Sequence, residues 1–275
     1  MAGASSESLA KALAGLETKL PAASLSLAEE LFGILGTVDD SAALRRALTD
    51  PARSGEEKAG LVTTLFGGKV SAEALEITRG LAESRWGSAR DISDALETVA
   101  AAVVVASEEN RTAGGTAGLE ALERLENELF AFNRAVQSSH DLQRALSEPQ
   151  ASPAAKTALA LRMVPGAGDA ARLLISQAVS HPRGLKPVKL VERFVELVAS
   201  SQKRWIAEVA VTRPLTAAQA DRLQAGLNAL YGRELKVNMN VDPSLIGGVR
   251  VRVGDEVVDA SVITRLGELR RQLAG

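Results

Sequence analysis

Apolar residues recur every three to four positions along most of this chain and every second position only near its end. That pattern predicts helices first and a small sheet last. Leu9, Leu13, Leu16 and Leu20 form the first helical stripe, and Pro21 is expected to stop it. A second stripe, from about Ser24 to Thr37, carries Leu27, Leu31, Ile34 and Leu35, with Val38 just beyond. Asp40 and Ser41 are candidate caps for a third helix, Ala42 to Leu48, which Asp50-Pro51 ends. Glu56 to Phe66, Ser71 to Arg85 and Ser88 to Glu109 read as three more. Six short helices with short loops imply a compact bundle.

The polar, glycine-rich stretch from Asn110 to Gly118 marks a boundary. Beyond it Leu119, Leu122, Leu125, Leu129, Phe132 and Val136 stripe a long helix whose other faces are charged. The chain then repeats itself. The block Leu44-Arg45-Arg46-Ala47-Leu48-Thr49-Asp50-Pro51 lines up, at a shift of 98, with Leu142-Gln143-Arg144-Ala145-Leu146-Ser147-Glu148-Pro149. Lys58 and Leu61 fall on Lys156 and Leu159 at the same shift, and Arg85-Trp86-Gly87 finds a counterpart in Pro182-Arg183-Gly184 after a slip of one residue. A duplicated helical bundle accounts for this better than shared helix and loop grammar. Val188 to Ser201 closes the second copy.

After it the period changes to two. Trp205 to Val211 and Glu234 to Val241 alternate as strands around a helix that Thr216 caps and that runs to about Tyr231. Asp242-Pro243-Ser244 is a turn signal, because Pro243 fixes its own φ and pushes Asp242 away from helix. Gly247 and Gly248 permit a bulge or a close backbone approach. Val249, Val251 and Val253 then alternate with Arg250 and Arg252, and Gly254-Asp255 returns the chain through Glu256-Val257-Val258 as a hairpin. Asp259 or Ser261 can cap a closing helix with Val262, Ile263, Leu266, Leu269 and Leu273 on one stripe. The predicted fold is mainly α: two tandem helical bundles, the first of six helices at 1–109 and the second at 110–203, followed by a small α+β domain at 204–275.

In this last stretch the order DPSLIGGV, RVGDEVVD and S-x-x-x-R-L-x-x-L-R-R-Q-L resembles the C-terminal domain of the delta subunit family of F-type ATP synthases, known in mitochondria as the oligomycin-sensitivity-conferring protein. The likeness is strong from Trp205 to Leu273 and looser over the bundles. Leu9-Ala10-Lys11-Ala12-Leu13 is similar to the family's opening helix, although Leu9 stands where an aromatic is common. Family members of ordinary length carry one bundle, and this chain carries two.

Composition narrows the chemistry. The hydrophobic fraction is 46% and the aromatic fraction 3%, a balance that favours helices packed closely through alanine and leucine. The net charge of -2 lacks the cationic bulk of a nucleic-acid binder. With no cysteine there is no thiolate chemistry, and His140 and His181 stand apart without clustered ligands, so no metal site is read. The N-terminus has no basic stretch ahead of an apolar core and does not read as a signal peptide. The longest apolar run, Val99 to Ala106, is far too short to span a bilayer, which takes roughly 20 residues. Gly67-Gly68-Lys69-Val70-Ser71 fails as a phosphate loop, since Thr63 stands where glycine is needed and Val70 where a hydroxyl is. Gly166-Ala167-Gly168-Asp169-Ala170-Ala171 follows no strand, so it is no dinucleotide loop. His181, Arg183, Lys186 and Lys189 form a local basic patch. No catalytic constellation and no cofactor site are read.

The resemblance therefore implies a non-catalytic peripheral-stalk subunit that links the F1 head to the membrane Fo sector and resists rotor torque. It implies two partners: the N-terminal helices of the alpha subunits for the helical part, and the end of the b subunit for the C-terminal domain. Leu9, Leu13, Leu16 and Leu81 are the candidate contacts for the first, and Asp242, Pro243, Gly247, Gly248, Leu266 and Leu269 for the second. Membrane contact would be indirect, on the cytoplasmic face of the cell membrane. A helical RNA-binding or transcription-associated scaffold is the alternative that the charge speaks against.

Overall fold

A computed structural model describes residues 3–111, 116–232, 234–243, 245 and 248–259. The described residues form twelve α-helices, one short 3-10 turn and a four-stranded sheet near the end of the chain. The mainly α fold with a small α+β part is thus as the periodicity predicts. By their contacts the residues separate into two units, 1–111 with 124–197, and 112–123 with 198–275.

In the first unit the opening helices are α1 (Ala4–Glu17), α2 (Leu25–Asp40), α3 (Ala42–Thr49), α4 (Gly55–Phe66), α5 (Ala72–Glu83) and α6 (Asp91–Asn110). Serine side chains begin four of them. Ser24, Ser41, Ser54 and Ser71 accept the amides of Leu27, Leu44, Glu57 and Ala74, donors that a helix start otherwise leaves unpaired. One boundary differs from the sequence expectation. Helix α1 stops at Glu17, and Pro21 lies inside the 3-10 turn Leu20–Ala22, where a missing backbone N–H costs nothing. Helix α1 packs on α5 and α6, so the opening helix belongs to the first copy.

Five more helices follow: α7 (Ala117–Gln137), α8 (His140–Ser147), α9 (Pro153–Met163), α10 (Asp169–Ser180) and α11 (Pro187–Lys203). The duplication read from the sequence is repeated in hydrogen bonds. Ser139 and Ser152 cap α8 and α9 as Ser41 and Ser54 cap α3 and α4. Arg45 donates through Nη1 to the carbonyls of Val38 and Asp39, and Gln143 donates through Nε2 to those of Val136 and Gln137, each partner displaced by 98. Glu30 accepts from the amide of Ser71 at 3.0 Å, and Glu128 accepts from that of Gly168 at 3.1 Å. Leu48 and Leu146, the leucines of the shared block, are both 1% exposed.

Helix α6 is unusual, because fourteen of its twenty residues are buried and they lie on every side. It packs against α1 and α2 of its own copy and against α10 of the next. A helix apolar all round needs partners all round, which explains the run Val99 to Ala106 without any membrane.

The second unit contains β1 (Ile206–Val211), α12 (Ala217–Tyr231), β2 (Lys236–Val241), β3 (Val249–Val253) and β4 (Glu256–Asp259). Strand β1 pairs in parallel with β2, the return being made by α12, and antiparallel with β3, which turns into β4. The sheet order is β2-β1-β3-β4. Its core is Ala207, Val209, Val211, Val251 and Val253 from the strands with Leu227 from α12 and Leu235. Asn228 and Gln224 on α12 bind the amide and carbonyl of Leu235 at 3.0 and 2.7 Å, which fixes the entry to β2. The hairpin falls at Gly254-Asp255 as expected, with Gly254 at φ +59.

Candidate partner-binding surfaces

Two regions offer apolar side chains to a partner. The first is the α1–α5 pair. Serines hold α1 in place: Ser8 donates to the carbonyl of Arg85 at 2.7 Å, and Ser5 accepts the amide of Gly87 at 2.7 Å while donating to Asp91 at 2.6 Å. Lys19, just past α1, meets Glu76 of α5 at 2.6 Å. Of the predicted contacts, Leu16 and Leu81 are buried, at 3% and 2% exposure, and form floor. Leu9 and Leu13 are half-buried and retain accessible surface.

The second region is the apolar face of the sheet. Met239 and Val241 pair with Val209 and Val211, and Val258 pairs with Val251, so all three continue the face that builds the core. Yet they are 48%, 42% and 39% exposed. The opposite face is mixed there, with Arg252 gripping Glu208 across β1 and β3 at 2.6 Å beside the exposed Val257. Asp242 and Pro243 form the turn after β2, where the Asp242 amide bonds to Val211 and its carbonyl accepts from Leu245. Gly248 sits at φ +87, a backbone that favours glycine. Gly247, Leu266 and Leu269 lie outside the described residues, as does the predicted closing helix.

The structure also places the motifs set aside by spacing. Gly67, Gly68 and Lys69 turn the chain between α4 and α5, and the ammonium of Lys69 donates to the carbonyl of Leu65 at 2.9 Å. A lysine that caps a helix end is not cradling phosphate. At Gly168 the start of α10 is occupied by the Glu128 carboxylate. Among the described residues no cluster of histidine and acidic side chains could hold a metal ion.

The sequence profile of the ATP synthase delta (OSCP) subunit matches residues 100–273. Over 275 aligned residues covering both chains in full, the sequence is 71% identical to ATP synthase subunit delta of Arthrobacter sp. (strain FB24). It is 62% identical, again across both chains in full, to ATP synthase subunit delta of Renibacterium salmoninarum. The chain belongs to the ATP synthase delta (OSCP) subunit family. The profile begins inside α6, so most of the first copy precedes the matched residues, while these two delta-family relatives align along the whole chain.

One group escaped the sequence reading. Arg183, grouped there with His181, Lys186 and Lys189 as a surface patch, is turned inward among acids. Its Nη1 donates to the carbonyl of Ser93 at 3.0 Å and lies 3.5 Å from Asp39, while its Nη2 reaches Asp94 at 3.2 Å and also Glu97. The side chain is 12% exposed and that of Glu97 is 5%. Burial pushes the Glu97 carboxyl up to about 7, although Arg183 pulls in the other direction. The available signal was Asp94 and Glu97, one turn apart in a helix that is otherwise apolar there. Lys186 and Lys189 remain exposed.

Proposed function

We propose that this subunit acts without catalysis, receiving an N-terminal helix of an alpha subunit on the α1–α5 pair and the end of the b subunit on the exposed margin of the sheet. As a delta (OSCP) subunit the chain is part of the peripheral stalk of the F-type ATP synthase. It is peripheral to the membrane complex, and no described helix is long and apolar enough to cross a membrane. Attachment on the cytoplasmic face of the cell membrane follows from that role. A stalk connector needs no reacting groups; it needs two separate binding surfaces, each apolar enough to take an amphipathic helix.

The observation that carries this reading is the accessible apolar surface at both places. On the sheet, Met239, Val241 and Val258 extend a buried face into solvent. On the first copy, Leu9 and Leu13 keep part of their surface exposed. Helix α5 packs on α1, α2, α4 and α6, and its counterpart α10 packs on α2, α6 and α9. The start of the profile match within α6 favours a second reading, in which the second copy meets the alpha subunit by another of its faces.

Calorimetry of the full chain tests both. Leu13→Glu should weaken binding of an alpha N-terminal peptide at least tenfold and leave binding of the b C-terminal segment intact. Met239→Glu with Val258→Glu should do the reverse. Undiminished alpha binding by Leu13→Glu would hand the alpha contact to the second copy.

A further inference from the structure

We propose that Arg183 is a latch by which the second helical copy docks on the first, and that Glu97 makes this docking loosen as pH rises through neutrality. The inference concerns the joint between the copies and does not depend on which of them meets a partner.

The latch replaces an apolar closure. In the first copy the loop after α5 carries Trp86, which is 8% exposed, and α1 clasps that loop with Ser5 and Ser8. In the second copy the corresponding loop after α10 carries Arg183, and α6 clasps it with Asp94 and Glu97. Helix α6 thus stands to α10 as α1 stands to α5. It closes the first copy and opens the second. Serines that hold the main chain on either side of a buried indole have given way to carboxylates that hold a guanidinium.

Asp39 comes from α2 of the first copy and Asp94 and Glu97 from α6, the helix the two copies share, whereas the arginine comes from the second copy alone. The backbone bends to deliver it. Arg183 has φ +45, the one non-glycine residue with positive φ among those described, and Gly184 follows at φ +79. Arg90, the residue just ahead of α6, donates to the Arg183 carbonyl, so the loop is held by its main chain as well. Taking Arg183 away would leave three acids facing one another at a buried joint, the arrangement in which removal of one partner costs most.

Glu97 supplies the pH dependence. It is faced by Asp94 of its own helix, by the Gln177 amide of α10, by Arg183 and, at longer range, by Arg193 of α11, while Asp39 of α2 and Arg90, just ahead of α6, meet Arg183. Burial is the largest influence and raises its carboxyl from 4.5 to about 7; Arg183 and Arg193 oppose it and Asp94 adds to it. Released into water, the group would titrate near its ordinary value. The docked form therefore holds a proton that the undocked form gives up. The sign follows: docking is strongest in acid, and its equilibrium constant falls by about tenfold between pH 6 and pH 8.

Hydrogen exchange of the full chain tests this, with rates corrected for their intrinsic pH dependence. Peptides from 169–185 should lose about tenfold in protection from pH 6 to pH 8, while peptides from α4 should not change. Glu97→Gln should abolish the loss and keep the protection seen at pH 6, and Arg183→Gln should lower protection at every pH. A flat profile in the native chain, an unchanged slope in Glu97→Gln, or an equal loss in α4 would overturn the proposal. If Arg183→Gln does not fold, Arg183→Lys replaces it, keeping the charge and losing the fork; native protection in that variant would equally overturn the latch.

Discussion

The indole Nε1 of Trp86 donates to the carbonyl of Leu81 at 2.8 Å, in a contact that is buried on both sides. Leu81 lies in the last turn of α5, and its carbonyl also accepts the amide of the cap residue Ser84, at 3.3 Å. One side chain therefore fills the space under the loop and completes the helix end.

Trp86→Phe keeps most of the volume and leaves that carbonyl with the Ser84 amide alone, so a loss of about 0.5–1.5 kcal/mol, the net value of one hydrogen bond, is expected. Trp86→Ala adds a cavity and should cost about 3–5 kcal/mol. Urea unfolding of the two variants checks the order. Equal losses would show that packing adds nothing beyond the hydrogen bond, and no loss in Trp86→Phe would show that the hydrogen bond adds nothing beyond packing.

The two copies use the same serine caps, so equivalent substitutions should have equivalent effects. Ser41→Ala and Ser139→Ala each remove an acceptor for a helix amide, at 3.1 and 3.3 Å, and each should cost about 1 kcal/mol. The double variant should lose about 2 kcal/mol, since separate sites add. Midpoints of denaturant unfolding give both numbers.

In the sheet unit, Gly248→Val puts a β-branched residue at φ +87, and Gly254→Ala puts a Cβ at φ +59 and 3.3 Å from Cγ of Arg204. Each should destabilise by about 1–2 kcal/mol, the cost of left-handed backbone for an L-residue. A thermal midpoint unchanged in either variant would contradict the backbone argument.

Arg252→Gln is expected to be nearly silent. Its ion pair with Glu208 is short, yet both side chains are more than half exposed, at 58% and 57%. Pairs of this kind contribute about 0.5 kcal/mol or less. A measured loss above about 1.5 kcal/mol would mean that the pair is organising the sheet.

Much of this architecture was legible in the sequence because it rests on local rules. The three-to-four periodicity located the helices, and the alternation of Val249, Val251 and Val253 with arginines gave β3 and its hairpin. The block around Leu48 and Leu146 announced a duplication that the Arg45 and Gln143 hydrogen bonds repeat. What stayed hidden was tertiary. Leu9, Leu13, Leu16 and Leu81 look alike as stripe residues, and only packing separates a buried floor from an accessible rim. Arg183 read as one more surface cation because its partners are 86 to 144 residues away. Helix α6 gave a partial sign, since apolar residues on every face ask for neighbours on every face, but no local rule says that one of them is α10.

That sharing has a consequence during synthesis. When α6 leaves the ribosome, α1 to α5 are already available to it, but its α10 side is not yet covered. About seventy residues separate the end of α6 from the end of α10. At roughly 5–20 residues per second, several seconds pass before that face, with Glu97 beside apolar neighbours, meets its cover. For that interval the α10 side of the helix has no cover, and the acids that will hold Arg183 have no arginine to meet.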